Sequence, residues 1–394
     1  MGEESPSTPT LVHLRNTERE AFMKLIAQTL AGLEPVLARE LEALGASQIT
    51  AMEGEVSFEG DRRILYRANL ELRTALKILY PVATFRAQTD QHLYDGINHI
   101  DWRRYLEAGA SLAVDADCVS TFFPKNGAAA LRCRDAIGDR VEKRYGERPS
   151  IDSRQPDTRV HLSIRGDFCQ ISLDSSGTPL NNRGYGHEAL DHSLNEVLAA
   201  GMLLLSGWKG ETDFTDPMCG SGTLLMEAAM LAWNIPPLMN REYFGFKKWS
   251  NFDAGLWEEI KGNARENMRT SVSAKISGFD SAFQALRTTE RNIQSARLVG
   301  KVSVERLSLE KQKVRNSPGM IMMCPPSTDT LKEEEIPQLY KQIGELVRKK
   351  CVGSTVYILI SSDEVLKYAG LGIVSETELS NGTELRRLVR FESD

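Results

Sequence analysis

Two short stretches carry the residue types from which a group-transfer site could be built. The first, "DPMCGSG" (216–222), follows a strand-like run and precedes an apolar helix. Gly220 and Gly222 let the backbone turn tightly and approach a ligand where a side chain would collide. The helix N-terminus behind them offers unpaired N–H groups. No Gly-Lys-Ser/Thr follows, so this is not a Walker loop, and Leu225 stands where a dinucleotide fingerprint needs its third glycine. Asp216 opens the loop, and Asp280 closes the next strand, "ISGFD". In a doubly wound sheet those strand ends flank the switch-point crevice, where ligands bind. Asp280 can accept hydrogen bonds from ribose hydroxyls, and Asp216 can orient the loop or meet an ammonium group through water. Such a pocket suits S-adenosylmethionine (SAM), whose cationic end and ribose both need acceptors. The competing reading is a glycine-rich turn with no ligand.

The second stretch, "MMCPPSTDT" (322–330), follows the apolar run "GMIMM". Two prolines stiffen it and fix the directions of their carbonyls. Cys324 would need an activating base to act as a nucleophile, but the last of the six histidines is His192. An ordinary buried cysteine at a strand end is the plainer reading.

The elements that position these stretches follow from periodicity. From about residue 211 strands and helices alternate, which indicates a doubly wound parallel sheet. The apolar helix "NEVLAAGMLLLSGW" leads into it. Ahead of it, "MKLIAQTL" reads as a strand, "GLEPVLARELEALGA" as a helix, "SQITAMEGEVSFEGD" as two strands, and residues 62–79 as an amphipathic helix. "SLAVDADC" then reads as a strand, "AALRCRDAIGDRVEKRYG" as a helix and "RVHLSIRGDFCQISLDSSG" as a hairpin. Lys125, Arg132, Arg134, Lys143 and Arg144 lie on or beside that helix, interleaved with Asp135, Asp139 and Glu142. A solvated helix of mixed charge and a phosphate-contacting surface both fit this pattern.

With 394 residues, two or three domains are expected. A net charge of -6 gives no bulk support to nucleic-acid binding, so any such surface must be a local patch. The six scattered cysteines form no CxxC pair, which argues against zinc ribbons and disulfide scaffolds and favours a reducing compartment. No apolar stretch reaches membrane-spanning length and no signal pattern opens the chain. These features predict a cytoplasmic protein with no metal and no membrane partner.

"DPMCGSGTLLMEAAMLAWNIPP" closely resembles the SAM-binding segment of the THUMP-domain guanine-N2 methyltransferases of large-subunit (23S) rRNA. The resemblance runs from about Met23 to the C-terminus. It implies an α/β protein: a flexible tail (1–22), a ferredoxin-like segment (23–64), a THUMP α+β module implicated in RNA binding (65–175), and a class I, Rossmann-like methyltransferase domain (176–394). It further implies that Asp216, Met218, Gly220 and Gly222 shape the cofactor loop and that Asp280 binds the ribose. Ser308 lies near the place where such enzymes often keep an acidic contact to adenine. In these enzymes the proline loop reads Asn-Pro-Pro-Tyr. The asparagine oxygen and the first proline's carbonyl accept the two N–H bonds of the target amine, and the aromatic stacks on the extruded base. Here the loop is Cys324, Pro325, Pro326 and Ser327. Cysteine is a weak acceptor, and losing one aligned hydrogen bond at a reacting centre costs about 3 kcal/mol. The resemblance therefore implies an rRNA methyltransferase acting on naked rRNA or an assembling large subunit. A catalytically weakened relative that still binds RNA and SAM is the alternative, and a methyltransferase with a shifted target is a third.

Overall fold

A computed structural model describes residues 22–186, 193–312, 319–326, 331–362 and 365–391, together with the backbone of Val12–His13. The chain begins with β1 (Val12–His13), β2 (Met23–Gln28), α1 (Glu34–Leu44), β3 (Ser47–Met52), β4 (Glu55–Gly60), α2 (Arg62–Glu71) and β5 (Lys77–Arg86). Pro35 sits in the first turn of α1, and Gly45 ends that helix in the left-handed region at φ 88°. Asp61 caps α2 by accepting from Ile64 N at 2.8 Å. The helix expected over 62–79 stops at Glu71: Leu72 is already extended at φ -66° and ψ 128°, and the continuous apolar run from Ile78 is a strand buried on both faces, β5.

Next come α3 (Asp90–Asn98), β6 (Ser111–Val119), α4 (Asn126–Tyr145), β7 (Ser150–Ile151), β8 (Thr158–Arg165) and β9 (Phe168–Asp174). These join the first strands in one sheet, in the order β3-β4-β2-β5-β9-β8-β6-β7. β5 is the shared strand, pairing β2 through Lys77–Leu79 and β9 along most of its length. Two residues of the expected tail also belong to this sheet, since Val12 and His13 pair with Thr84 and Ala83. A boundary at 64/65 would cut α2, whose Leu65, Tyr66, Ala68 and Leu70 lie in one core with Leu25, Leu37 and Leu41.

The second sheet comprises β10 (Asp213–Asp216), β11 (Ile276–Asp280), β12 (Val302–Arg306), β13 (Gly319–Met323), β14 (Thr355–Ile360), β15 (Ile373–Ser380) and β16 (Leu385–Phe391). Its order is β12-β11-β10-β13-β14-β16-β15. The first five strands are parallel, and β16 runs antiparallel between β14 and β15. The strand order reverses between β10 and β13, so the switch point lies between the two stretches singled out in the sequence. The helices α5 (Glu196–Ser206), α6 (Thr223–Ala232), α7 (Ala254–Glu266), α8 (Phe283–Ser295), α9 (Glu335–Lys350) and α10 (Leu366–Ala369) complete this half. No helix among the described residues is long and apolar enough to cross a membrane.

The halves share cores. Leu30, Leu33 and Val36 join the core formed by α5 and α6, while Phe244, Phe246, Trp257 and Ile260 pack with Tyr66 and Leu65 in the first half. Arg183 and Glu227 form an ion pair at 3.1 Å with both side chains fully buried. Tyr185 donates to the same carboxylate at 2.7 Å, and Arg183 donates to the Arg73 carbonyl across the junction.

Candidate active site

β10 ends at Asp216, whose buried carboxylate accepts from Met218 N at 3.0 Å. Burial is the main cause that pushes Asp216 up to about 8, aided by the charge of Asp280 and opposed by the Met218 N–H. A carboxyl in this state is ready to ionise when a cation arrives beside it. Gly220 and Gly222 are both left-handed, at φ 53° and 81°. A Cβ on Gly222 would lie 2.5 Å from Thr289 Cγ2, whereas one on Gly220 would meet nothing within 4 Å. The first glycine therefore leaves open space for a ligand and the second lets the loop pack on α8. Two polar residues of α8 hold the turn: Thr289 Oγ1 donates to Gly220 O at 2.7 Å, and Asn292 Nδ2 donates to Ser221 O at 3.0 Å.

Asp280 bridges strand ends. Its two oxygens accept from Gly220 N at 3.0 Å and Ala282 N at 2.8 Å, and each keeps a lone pair for a further donor. Leu307 N donates to the Asp280 backbone carbonyl at 3.0 Å, and the next residue, Ser308, accepts from Lys311 N with its backbone oxygen. Met218 packs against the core that contains Leu309, Ile321 and Met323.

The proline loop continues from β13, hydrogen-bonded in parallel to β10, so Cys324 lies within electrostatic reach of Asp216. Pro325 is buried and Pro326 exposed, and Ser327 lies outside the described residues. Burial pushes the Cys324 thiol up to about 11, so it is neutral at pH 7 and no nucleophile. Its Sγ points at the Pro325 carbonyl at 4.0 Å. Sequence reasoning missed the group on its other side. The charge of Arg386, from the antiparallel strand β16, acts on both Cys324 and Tyr340. The "RR" that opens β16 was the one signal available for it.

The basic residues of α4 divide. Arg132 stacks 4.4 Å from the Tyr94 ring and donates to Asp90 O, tying α4 to α3. Arg134 meets Asp135 at 3.8 Å, and Lys125 lies exposed just before the helix. Lys143 and Arg144 come together with Arg140, Arg103 and Trp102 around a hollow of about 280 Å³. Arg103, from a turn 40 residues upstream of Lys143, was not legible as part of this group. Among the described residues no cluster of His, Cys, Asp and Glu is arranged to hold a metal.

This combination of sheet order, glycine turn and proline loop can be compared with known proteins. The methyltransferase-domain model described as RMKL-like matches residues 183–384. The chain belongs to the RMKL-like methyltransferase family. An RlmL ferredoxin-like domain matches at 24–79 and a THUMP domain at 87–174, in agreement with the fold class expected from the sequence. This RMKL-like chain is 32% identical over 367 residues to the Synechocystis protein slr0064, described as an RNA methyltransferase, covering 93% of this chain and 96% of that one. It is 34% identical over 385 residues to the ribosomal RNA large subunit methyltransferase K/L of Syntrophotalea carbinolica, covering 95% of this chain and 54% of that one. The chain thus spans about half the length of the K/L relative. The crystal structure of SMU.472, a protein described as a methyltransferase and complexed with S-adenosylhomocysteine (SAH), superposes with a TM-score of 0.85 at 27% identity, covering 95% of this chain and 98% of that one.

Proposed function

We propose that this RMKL-like chain uses SAM to methylate the exocyclic N2 of a guanine in 23S rRNA, acting in the cytoplasm on free rRNA or on the assembling large subunit. What carries the reading is one juxtaposition: the Asp216–Asp280 glycine turn and the Pro325–Pro326 loop open from adjacent strands at the switch point. Bound SAM would supply an activated methyl group. Asp280 receives the ribose hydroxyls, Gly220 gives the cofactor room, and Asp216 offers a carboxylate to the cationic end. Ser308 lies where adenine would be met. Pro325 presents a rigid carbonyl that accepts one N–H of the target amine and keeps its lone pair directed at the methyl. The named relatives point to large-subunit rRNA, and the THUMP match supplies an RNA-handling module in the same chain.

Calorimetry with SAH tests the cofactor half of this reading. Wild-type protein is expected to bind, and Asp280→Asn to bind at least 10-fold more weakly, since charge-assisted bonds to the ribose are lost. Absence of wild-type binding at millimolar SAH would overturn the assignment.

A further inference from the structure

Beside the glycine turn lies a surface that the proposed chemistry does not use. α8 opens with Phe283, an apolar ring left 59% exposed three residues beyond Asp280. A single exposed apolar side chain needs no explanation by itself. This one is accompanied by two exposed arginines that hold no carboxylate. Arg287, one helical turn along α8, places its guanidinium carbon 5.8 Å from the Phe283 ring centre and makes no ion pair among the described residues. Arg306, at the end of β12, donates from Nε to the Ser281 carbonyl at 3.0 Å and likewise has no acid within ion-pair distance among the described residues. Arg63, Arg67, Arg86, Arg148 and Arg165, in contrast, each pair with an acid. The backbone that carries the ring is fixed. Ala282 N donates to the Asp280 carboxylate at 2.8 Å, and that carboxylate also accepts from Gly220 N at 3.0 Å. The start of α8 is therefore tied to the cofactor turn.

The chemistry of this surface suits nucleic acid. An exposed ring offers a π-face on which any base can stack, and arginines without carboxylate partners are free to fork onto phosphates. A protein partner would need a broader apolar core than one ring supplies. We propose that Phe283, Arg287 and Arg306 form a stacking platform beside the cofactor turn, which holds an unpaired nucleotide of the RNA substrate next to the target base. This rests on the RNA methyltransferase reading above. β11, which leads to Phe283, and β13, which leads to the proline loop, are separated by β10 alone. Their ends are thus two strand spacings apart, about 10 Å. A base stacked on Phe283 is a close neighbour in the strand of the one delivered to Pro325, and both must be free of a helix together. The platform thereby selects a target flanked by unpaired nucleotides.

The test uses the full chain saturated with SAH and two probes: a short fluorescein-labelled single-stranded RNA, and an abasic ribose-phosphate strand of the same length and charge. Phe283→Ala should bind the RNA about 10-fold more weakly, the loss of one base stack. Its affinity for the abasic strand, and for SAH by calorimetry, should be unchanged. Phe283→Tyr keeps the π-face and should bind as wild type does. The Arg287→Met, Arg306→Met double variant should lower the logarithmic salt slope of RNA binding by roughly 0.7 for each phosphate contact removed. Unchanged RNA affinity in Phe283→Ala, or an equal loss for both strands, would overturn the proposal. A loss of SAH affinity would overturn it too, because the ring would then cover the cofactor, and so would an unchanged salt slope in the double variant. If Phe283→Ala fails to fold, Phe283→Leu, apolar and without a π-face, takes its place with the same expectations. Methyl transfer from labelled SAM to undermodified rRNA, run in parallel, separates the two ideas. Transfer by wild type with RNA affinity untouched in Phe283→Ala removes only the platform, and stacking-dependent binding without transfer removes only the enzymatic reading.

Discussion

At the scale of single residues, chemistry turns on how far burial has altered two ionisable groups. Asp216 is raised from its ordinary 3.8 to about 8. The folded state therefore holds the proton more tightly than the unfolded chain. The resulting stability is fully present below pH 3.8 and is lost as pH rises through about 8. Cofactor binding should show the opposite trend, because the ammonium of the ligand favours the ionised carboxylate. SAH affinity is expected to rise between pH 6 and about 8, with proton release visible as a buffer-dependent binding enthalpy. Asp216→Asn should bind more weakly and lose the pH dependence, and a variant that kept it would place the titrating group elsewhere. Cys324, in contrast, is held neutral with its thiol near the Pro325 carbonyl, where it adds no acceptor. Introducing asparagine and an aromatic in a Cys324→Asn, Ser327→Tyr double variant should raise methyl transfer by about 100-fold if the loop limits the rate, since one aligned bond at the reacting centre is worth about 3 kcal/mol. Equal rates in both proteins would show that the loop as it stands already suffices.

At the scale of elements, the glycine turn separates two jobs that adjacent sequence positions appear to share. Gly222→Ala forces a Cβ to 2.5 Å from Thr289 Cγ2 in a left-handed backbone. A loss of roughly 1–3 kcal/mol of stability is expected by denaturant unfolding. Gly220→Ala meets nothing within 4 Å, so it should cost only the left-handed backbone strain of about 1 kcal/mol, less than Gly222→Ala, yet bind SAH far more weakly. Equal effects in the two variants would contradict this division. The turn and its strand were legible because glycine spacing and an apolar period are local signals. The ends of β10, β11 and β13 were legible for the same reason. Arg386 was not, because β16 returns to the pocket from 62 positions beyond Cys324 in the chain and only the antiparallel register of β16 on β14 brings it there. Helix α2 was overextended because Leu72, Ala75 and Leu76 continue a plausible helical stripe while the chain is already turning into β5. Arg132 has a structural partner that the sequence did not show: it lies over Tyr94 and ties two helices together.

At the scale of the whole molecule, the RNA-handling half and the methyltransferase half are joined by shared cores and a buried ion pair. Glu227→Gln would strand Arg183, both being fully buried, and a loss of about 3–5 kcal/mol is expected, measured by chemical denaturation. A change under about 1 kcal/mol would show that the pair is replaceable. On the proposed reading, RNA held at α4 would be presented to the proline loop across this junction. Replacing Arg140, Lys143 and Arg144 with glutamate should weaken rRNA binding and reduce its logarithmic salt slope by roughly 0.7–0.9 for each phosphate contact removed. An unchanged slope would move the RNA surface off this hollow. The central claim is tested most directly by incubating the protein with methyl-labelled SAM and undermodified 23S rRNA, then digesting the RNA to nucleosides for mass spectrometry. The predicted result is label in N2-methylguanosine. Label in any other nucleoside, or none at all with SAH binding intact, would contradict it.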